Sequence, residues 1–151
     1  MGVLTNAPPF DEQMRHLASF MHLSPRQPHN HIYPECDLPL RSLGMGAVGL
    51  PGDLSSPSRF LRAVFTKSHA RNVDTVTDFL KILDTVTQVP GCNGEMATLY
   101  SSCCDTENGI YCYATCHSRR LYGIDMNRVD LNAAELMRYP LKTQEDLDLQ
   151  N

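Results

Sequence analysis

Hydrophobic residues recur at helical spacing in three stretches of the chain. The first stretch predicts a helix over about residues 10–23. The second predicts a helix over about residues 57–69 with Ser56 as its N-cap, and the third a helix over about residues 75–87 with Asp74 as its N-cap. The residues predicted to face the core are Phe10, Met14, Leu17 and Met21 in the first helix, Phe60, Leu61, Val64 and Phe65 in the second, and Val76, Phe79, Leu80, Leu83 and Val86 in the third.

The pattern changes to β-prone runs after the third helix. Residues 96–104 and 110–116 flank a short polar turn, which predicts a β-hairpin. Residues 120–126 predict a third antiparallel strand, and the small residues of 44–50 predict a short strand between the first two helices. Helices followed by a β-meander indicate an α+β architecture, with an antiparallel sheet and packed helices.

Size and charge narrow the class of protein. A chain of 151 residues with 42% hydrophobic and 20% charged residues resembles one globular domain. We predict a single domain over residues 1–151, with a long Pro-rich loop at 24–42 and a polar tail at 143–151. The net charge of −4 and the scattered cations argue against a nucleic-acid partner. No stretch reaches the roughly 20 apolar residues of a spanning helix, and no signal-peptide core is present. We therefore expect no membrane partner and a cytoplasmic location.

The six cysteines are predicted to be reduced thiols that pack in the interior. A structural zinc site, with ligands among Cys103, Cys104, Cys112, Cys116 and His117, is the alternative. On one strand, Cys112 and Cys116 share a face but lie about 13 Å apart, which is too far for one tetrahedral ion. Cys103 and Cys104 point to opposite faces. We therefore expect no metal.

Two other patterns point weakly to a ligand. Residues 44–49 match the letters of a dinucleotide fingerprint, but a turn follows where that fingerprint needs a helix, so we expect no cofactor. His29, His31 and Cys36 could chelate a metal from their loop, although histidines in a Pro-rich loop are more often solvated.

Three segments together resemble the choloylglycine hydrolase family, which includes conjugated bile salt hydrolases and penicillin V acylases. The first is Leu4-Thr5-Asn6-x-Pro8-x-Phe10. The second is Gly49-Leu50-Pro51-Gly52-Asp53-Leu54-Ser55-Ser56-Pro57-Ser58-Arg59-Phe60, and the third is Tyr100-Ser101-Ser102-Cys103-Cys104. The tract around Tyr100 and Gly109-Ile110-Tyr111 is similar to the bile salt branch.

The resemblance implies a fold and a set of roles. The family is similar to other N-terminal nucleophile hydrolases, so this chain would be the C-terminal portion of a four-layer αββα fold, a single partial domain. Asn6 would donate its side-chain amide to the oxyanion of the tetrahedral intermediate. Arg59 would support the charge network around the nucleophilic thiolate. The substrate would be a conjugated bile salt, no cofactor or metal would be needed, and the intact family member would be a homo-oligomer.

Several alternatives remain open at the level of sequence. Asn6 could simply start a turn before Pro8, and Arg59 could be a solvated helix residue. The chain begins Met1-Gly2 and its first cysteine is Cys36, so we expect the nucleophile in an N-terminal half outside this chain, and no hydrolysis by the chain alone. A non-catalytic remnant, a module that binds a steroid-like ligand, and a penicillin V acylase substrate are the other hypotheses. Without its partner half, the chain is expected to self-associate.

Overall fold

A computed structural model of the protein describes residues 2–26, 29–32, 34–38, 49–145 and 149–150. The chain forms two compact units, Met1–Arg71 and Asn72–Asn151. The strand predicted at 44–50 lies almost entirely outside the described residues, as do parts of the predicted loop and tail. Among the helices that are described, none has the length and apolar character needed to cross a membrane.

The first unit contains two helices. Helix α1 covers Phe10–Ala18 and α2 covers Ser56–His69. The rings of Phe10 and Phe60 meet edge to face, with centroids 6.4 Å apart. Phe60 and Leu61 are almost fully buried, at 4% and 2% exposure, so the predicted apolar face of α2 is confirmed at these two positions.

The predicted inward face of α1 is wrong at Met14 and Met21. The helix ends at Ala18 instead of residue 23, and Met14 and Met21 are 44% and 84% exposed. The fully buried residue of α1 is Gln13, whose Nε2 donates to the carbonyl oxygen of Ala7 at 3.1 Å. A polar backbone segment lies against this side of the helix, so the position needs a hydrogen-bond donor instead of an apolar side chain.

The second unit combines one helix with an antiparallel sheet. Helix α3 covers Val76–Asp84. The strands are β1 at Cys92–Glu95, β2 at Tyr100–Asp105, β3 at Ile110–Thr115 and β4 at Ser118–Asp125, and a 3-10 helix follows at Met126–Arg128. Strands β2, β3 and β4 form a meander in that order, so the predicted hairpin, third strand and α+β class are confirmed.

Strand β1 was not predicted, and the predicted strand at 96–104 begins four residues too early. Gly91 and Gly94 have positive φ angles of 82° and 60°, and isolated bridges join Gly91 to Gly94 and Asn93 to Met96. The backbone turns tightly here because glycine adopts this region without strain. Such a local turn carries no hydrophobic alternation to reveal it.

Both predicted N-caps are wrong by one residue. The cap predicted for α2 is one residue too late, and the cap predicted for α3 is one residue too early. Ser55, not Ser56, caps α2, because its side chain accepts a hydrogen bond from the Ser58 amide at 3.4 Å. Thr75, not Asp74, caps α3, because its Oγ1 accepts from the Asp78 amide at 3.1 Å. The buried residues of α3 are Leu80, as predicted, and Ile82, which was not.

Candidate active site

The segment that carries Asn6 is fixed at the start of α2. Thr5 Oγ1 and Ser56 Oγ are 3.0 Å apart, and Ser56 Oγ also donates to the carbonyl oxygen of Ala7. The Gln13 amide supplies a second donor to the same carbonyl. Both neighbours of Asn6 in the chain are therefore bonded to one serine, and Asn6 lies exposed in the bend between them.

Arg59 lies in the first turn of α2, three residues after Ser56. Its backbone N–H donates to the carbonyl oxygen of Ser55 at 2.9 Å, as a residue of the first helical turn should. The residue is half-buried. The segment that contains Asn6 is therefore attached at Ser56, in the same first turn of α2 that contains Arg59.

A carboxylate organises this end of α2. Asp53 accepts hydrogen bonds from the Ser55 amide at 2.9 Å and from the Ser58 hydroxyl at 2.6 Å. These bonds from Ser55 and Ser58 lower the pKa of Asp53 from 3.8 to about 2. The first turn of α2 contains no acidic residue, so Asp53 provides the negative charge that a helix N-terminus favours.

Arg62 was not singled out by the sequence, although it shapes the same loop. Its Nη1 donates to the carbonyl oxygens of Pro51 at 2.8 Å and Asp53 at 2.7 Å. One guanidinium group therefore holds the loop from the side of the helix. The sequence signal that could have pointed to it was its spacing of three residues from Arg59, which places both residues on one face of α2.

The arrangement offers hydrogen-bond donors and positive charge at one helix end. An exposed side-chain amide can donate to a developing oxyanion, and a nearby cation can stabilise a thiolate. Cys36, the first cysteine, is half-buried in its loop, and its carbonyl oxygen accepts from Asn30 Nδ2 at 2.8 Å. The His29 and His31 rings are 6.1 Å apart, and within the described ranges no three His, Cys, Asp or Glu side chains come together to hold a metal.

Comparisons with known proteins agree on one family. The family model for linear amide C–N hydrolases of the choloylglycine hydrolase family matches residues 1–139. A bile salt hydrolase/transferase from Lactiplantibacillus plantarum is 41% identical over 95% of this chain and 47% of its own length. One from Clostridium perfringens is 34% identical over 92% of this chain and 45% of its own length. The chain therefore spans about half the length of the relatives it matches.

Solved structures give the same result for the fold. A mutant of conjugated bile acid hydrolase from Clostridium perfringens superimposes with a TM-score of 0.82 and 30% identity, over 98% of this chain and 48% of that one. Penicillin V acylase from Agrobacterium tumefaciens, at 21% identity and a TM-score of 0.56, covers 85% of this chain and shares the fold. The predicted N-terminal nucleophile hydrolase fold is thus confirmed, and the chain belongs to the choloylglycine hydrolase family of linear amide C–N hydrolases.

Proposed function

We propose that this chain supplies the oxyanion-binding and electrostatic part of a cysteine amidase that hydrolyses the amide bond of glycine- or taurine-conjugated bile salts. Family membership supports the reaction class, and the names of the relatives from Lactiplantibacillus plantarum and Clostridium perfringens support the substrate. The observation that carries the proposal is the attachment of the Asn6 segment to the start of the helix that bears Arg59.

In this mechanism the two residues act at different atoms. The Asn6 amide donates to the oxyanion that forms when a cysteine thiolate attacks the substrate carbonyl, and this lowers the barrier to the tetrahedral intermediate. The Arg59 guanidinium lowers the pKa of that thiol and so increases the fraction of reactive thiolate. The nucleophile itself is expected from a segment outside this chain, so the chain alone should not hydrolyse amides.

Reconstitution tests the proposal. The chain is co-expressed with the N-terminal half of the Lactiplantibacillus plantarum relative, and release of glycine from a glycine-conjugated bile salt is measured. We expect hydrolysis by the purified pair, none by the chain alone, and none when the nucleophilic cysteine of the added half is replaced by alanine. A stable pair that releases no glycine or taurine contradicts the proposal. Faster cleavage of penicillin V than of bile salts would support the alternative substrate.

A cavity in the second unit supports a second candidate, a module that binds a steroid-like ligand. The cavity has a volume of about 630 Å³, within the range of small-molecule sites. Leu80 and Leu121 provide apolar lining. Two cations, Lys81 and Arg119, also line the cavity, although Lys81 is paired with Asp78 at 3.1 Å and Arg119 with Asp84 at 3.6 Å, so a steroid carboxylate would have to compete with these carboxylates. Calorimetric titration of the chain with an unconjugated bile acid tests this candidate. Absence of both binding heat and a thermal shift removes it.

A further inference from the structure

Two cysteines face each other across neighbouring strands of the sheet. Cys103 of β2 is directly opposite Cys112 of β3, and Gly123 of β4 is opposite Cys112 on its other side. Strand alternation places the Cys103 and Cys112 side chains on one face of the sheet. Cys112 is buried at 6% exposure and Cys103 is half-buried, and both are free thiols.

The spacing of this pair fits a disulfide bond. Directly opposed residues in antiparallel strands have Cα atoms about 4.5–5.5 Å apart, inside the range of about 4.4–6.8 Å that disulfides span. The strand pairing therefore places Cys103 and Cys112 at a backbone separation that one disulfide bond can bridge.

The neighbouring cysteines lack this arrangement. Cys104 is opposite Tyr111 and, as the residue after Cys103, points to the other face of the sheet. Cys116 follows the last residue of β3 and is exposed. These two cysteines therefore serve as internal controls for the opposed pair.

The surroundings of the two thiols favour their protonated form. Burial raises the pKa of Cys103, and the adjacent Cys112 raises it further. Burial also raises the pKa of Cys112, followed by the negative charge of Asp105. Because the thiolate is the reactive form, exchange should be slow at neutral pH and become faster as the pH rises.

We propose that Cys103 and Cys112 are a modification site, at which a small-molecule disulfide converts the pair into a reversible cross-strand disulfide. The more exposed Cys103 thiolate attacks one sulfur of the reagent, forms a mixed disulfide and expels a thiolate, which takes up a proton. Cys112 then loses its proton and attacks the Cys103 sulfur, which expels the second thiolate. The protein loses two protons and two electrons, and one small-molecule disulfide becomes two thiols.

The bond has a defined structural consequence. It joins β2 to β3 across the hairpin turn at 106–109 and fixes their register. It also restricts the unfolded chain, so the oxidised protein should be more stable than the reduced protein. This inference stands on the second unit alone and does not depend on the proposed amidase function.

Peptide mapping tests the inference directly. The chain is incubated with oxidised glutathione at pH 8, the remaining thiols are alkylated, and the protein is cut with a glutamate-specific protease. Cleavage after Glu107 separates Cys103 from Cys112. We expect an intramolecular linkage between the two resulting peptides, retained in Cys104→Ser and Cys116→Ser and lost in Cys103→Ser. The oxidised chain should melt at a higher temperature, and dithiothreitol should reverse the shift.

Three results would overturn the inference. One is a wild-type chain that shows no linked peptides after oxidation at pH 8. Another is a linkage that disappears in Cys104→Ser or Cys116→Ser while Cys103→Ser retains it. The third is a bond found only between two chains, seen as a dimer on a non-reducing gel. All three can be read without any variant of the buried Cys112.

Discussion

Asn6 is held in place by contacts of its two neighbours, Thr5 and Ala7, with Ser56. In the reconstituted amidase, we expect Asn6→Ala to lower kcat by roughly 10²–10³ because the lost donor serves the transition state. KM should change much less than kcat. Steady-state kinetics measure both, and Asn132→Ala, an exposed asparagine in the second unit, is the matched control. An equal loss in both variants, or a loss confined to KM, would contradict the assigned role.

Asp53 should make the stability of the first unit sensitive to acid. Its folded pKa of about 2 lies below the ordinary value of 3.8, so its hydrogen bonds stabilise the folded state fully above about pH 4. That contribution is lost as the pH falls through the folded pKa. We expect Asp53→Asn to lower the melting temperature at pH 6, and the difference from the wild type to shrink toward pH 2. Thermal unfolding across this range measures the effect.

A carboxylate elsewhere on the surface provides the control for that titration. Asp74→Asn removes the same charge from an exposed position before α3. A difference between the wild type and Asp53→Asn that stays constant from pH 6 to pH 2 would show that the hydrogen bonds to Ser55 and Ser58 do not favour the ionised form.

Gly109 combines two reasons for being glycine. Its φ angle is 70°, and an added Cβ would lie 2.8 Å from Nδ2 of Asn127. That amide donates to the carbonyl oxygen of Asn108 at 2.9 Å, so moving it breaks a bond across the turn. We expect Gly109→Ala to lower the free energy of unfolding by more than the roughly 1–2 kcal/mol of a left-handed residue alone. Denaturant unfolding measures this loss.

Gly94→Ala separates strain from steric contact. Gly94 has a φ angle of 60°, but nothing lies within 4 Å of the position of its Cβ. The free energy of unfolding of Gly94→Ala should therefore fall only by the cost of placing alanine at a positive φ angle. Equal losses in the two variants would mean that Asn127 moves without cost.

At the scale of single residues, the sequence revealed the candidate site through resemblance and not through spacing. Asn6 and Arg59 were chosen as candidates because whole motifs matched a family. Arg62 was not found because its partners are the carbonyl oxygens of Pro51 and Asp53, and any residue type supplies a carbonyl. Only the path of the loop determines which carbonyls converge on a side chain.

At the scale of elements, the sequence and the structure assign different N-cap residues to α3. The sequence favours Asp74, whereas Thr75 Oγ1 accepts from the Asp78 amide and donates to its carboxylate at 2.7 Å. We expect Thr75→Ala to lower the free energy of unfolding by about 1 kcal/mol. Asp74→Ala should have little effect. Denaturant unfolding of both variants checks the assignment. A larger loss of stability in Asp74→Ala than in Thr75→Ala would show that Asp74 is the N-cap.

Hydrophobic periodicity predicted the existence of elements better than the direction they face. The sheet follows the β-prone runs closely, because β2, β3 and β4 pair with each other and their own alternation sets the register. Helix α1 departs from its pattern, because a neighbouring backbone carbonyl and not an apolar core meets its inner side at Gln13. A helix pattern records which residues are apolar but not what lies opposite them.

At the scale of the whole molecule, the distribution of apolar side chains predicts self-association. In the part of the chain that the structure describes, five large apolar residues are 75–95% exposed: Leu4, Met21, Ile32, Leu131 and Leu136. Exposed apolar surface favours contact with other chains, and the chain spans only about half the length of its relatives. We expect light scattering coupled to size-exclusion chromatography to show an apparent mass that rises with concentration.

Co-expression with the N-terminal half of the Lactiplantibacillus plantarum relative should reduce this rise, because we expect the added half to cover apolar surface. A chain that stays monomeric at every concentration and melts cooperatively would contradict this prediction, because its exposed apolar residues would then be tolerated in water.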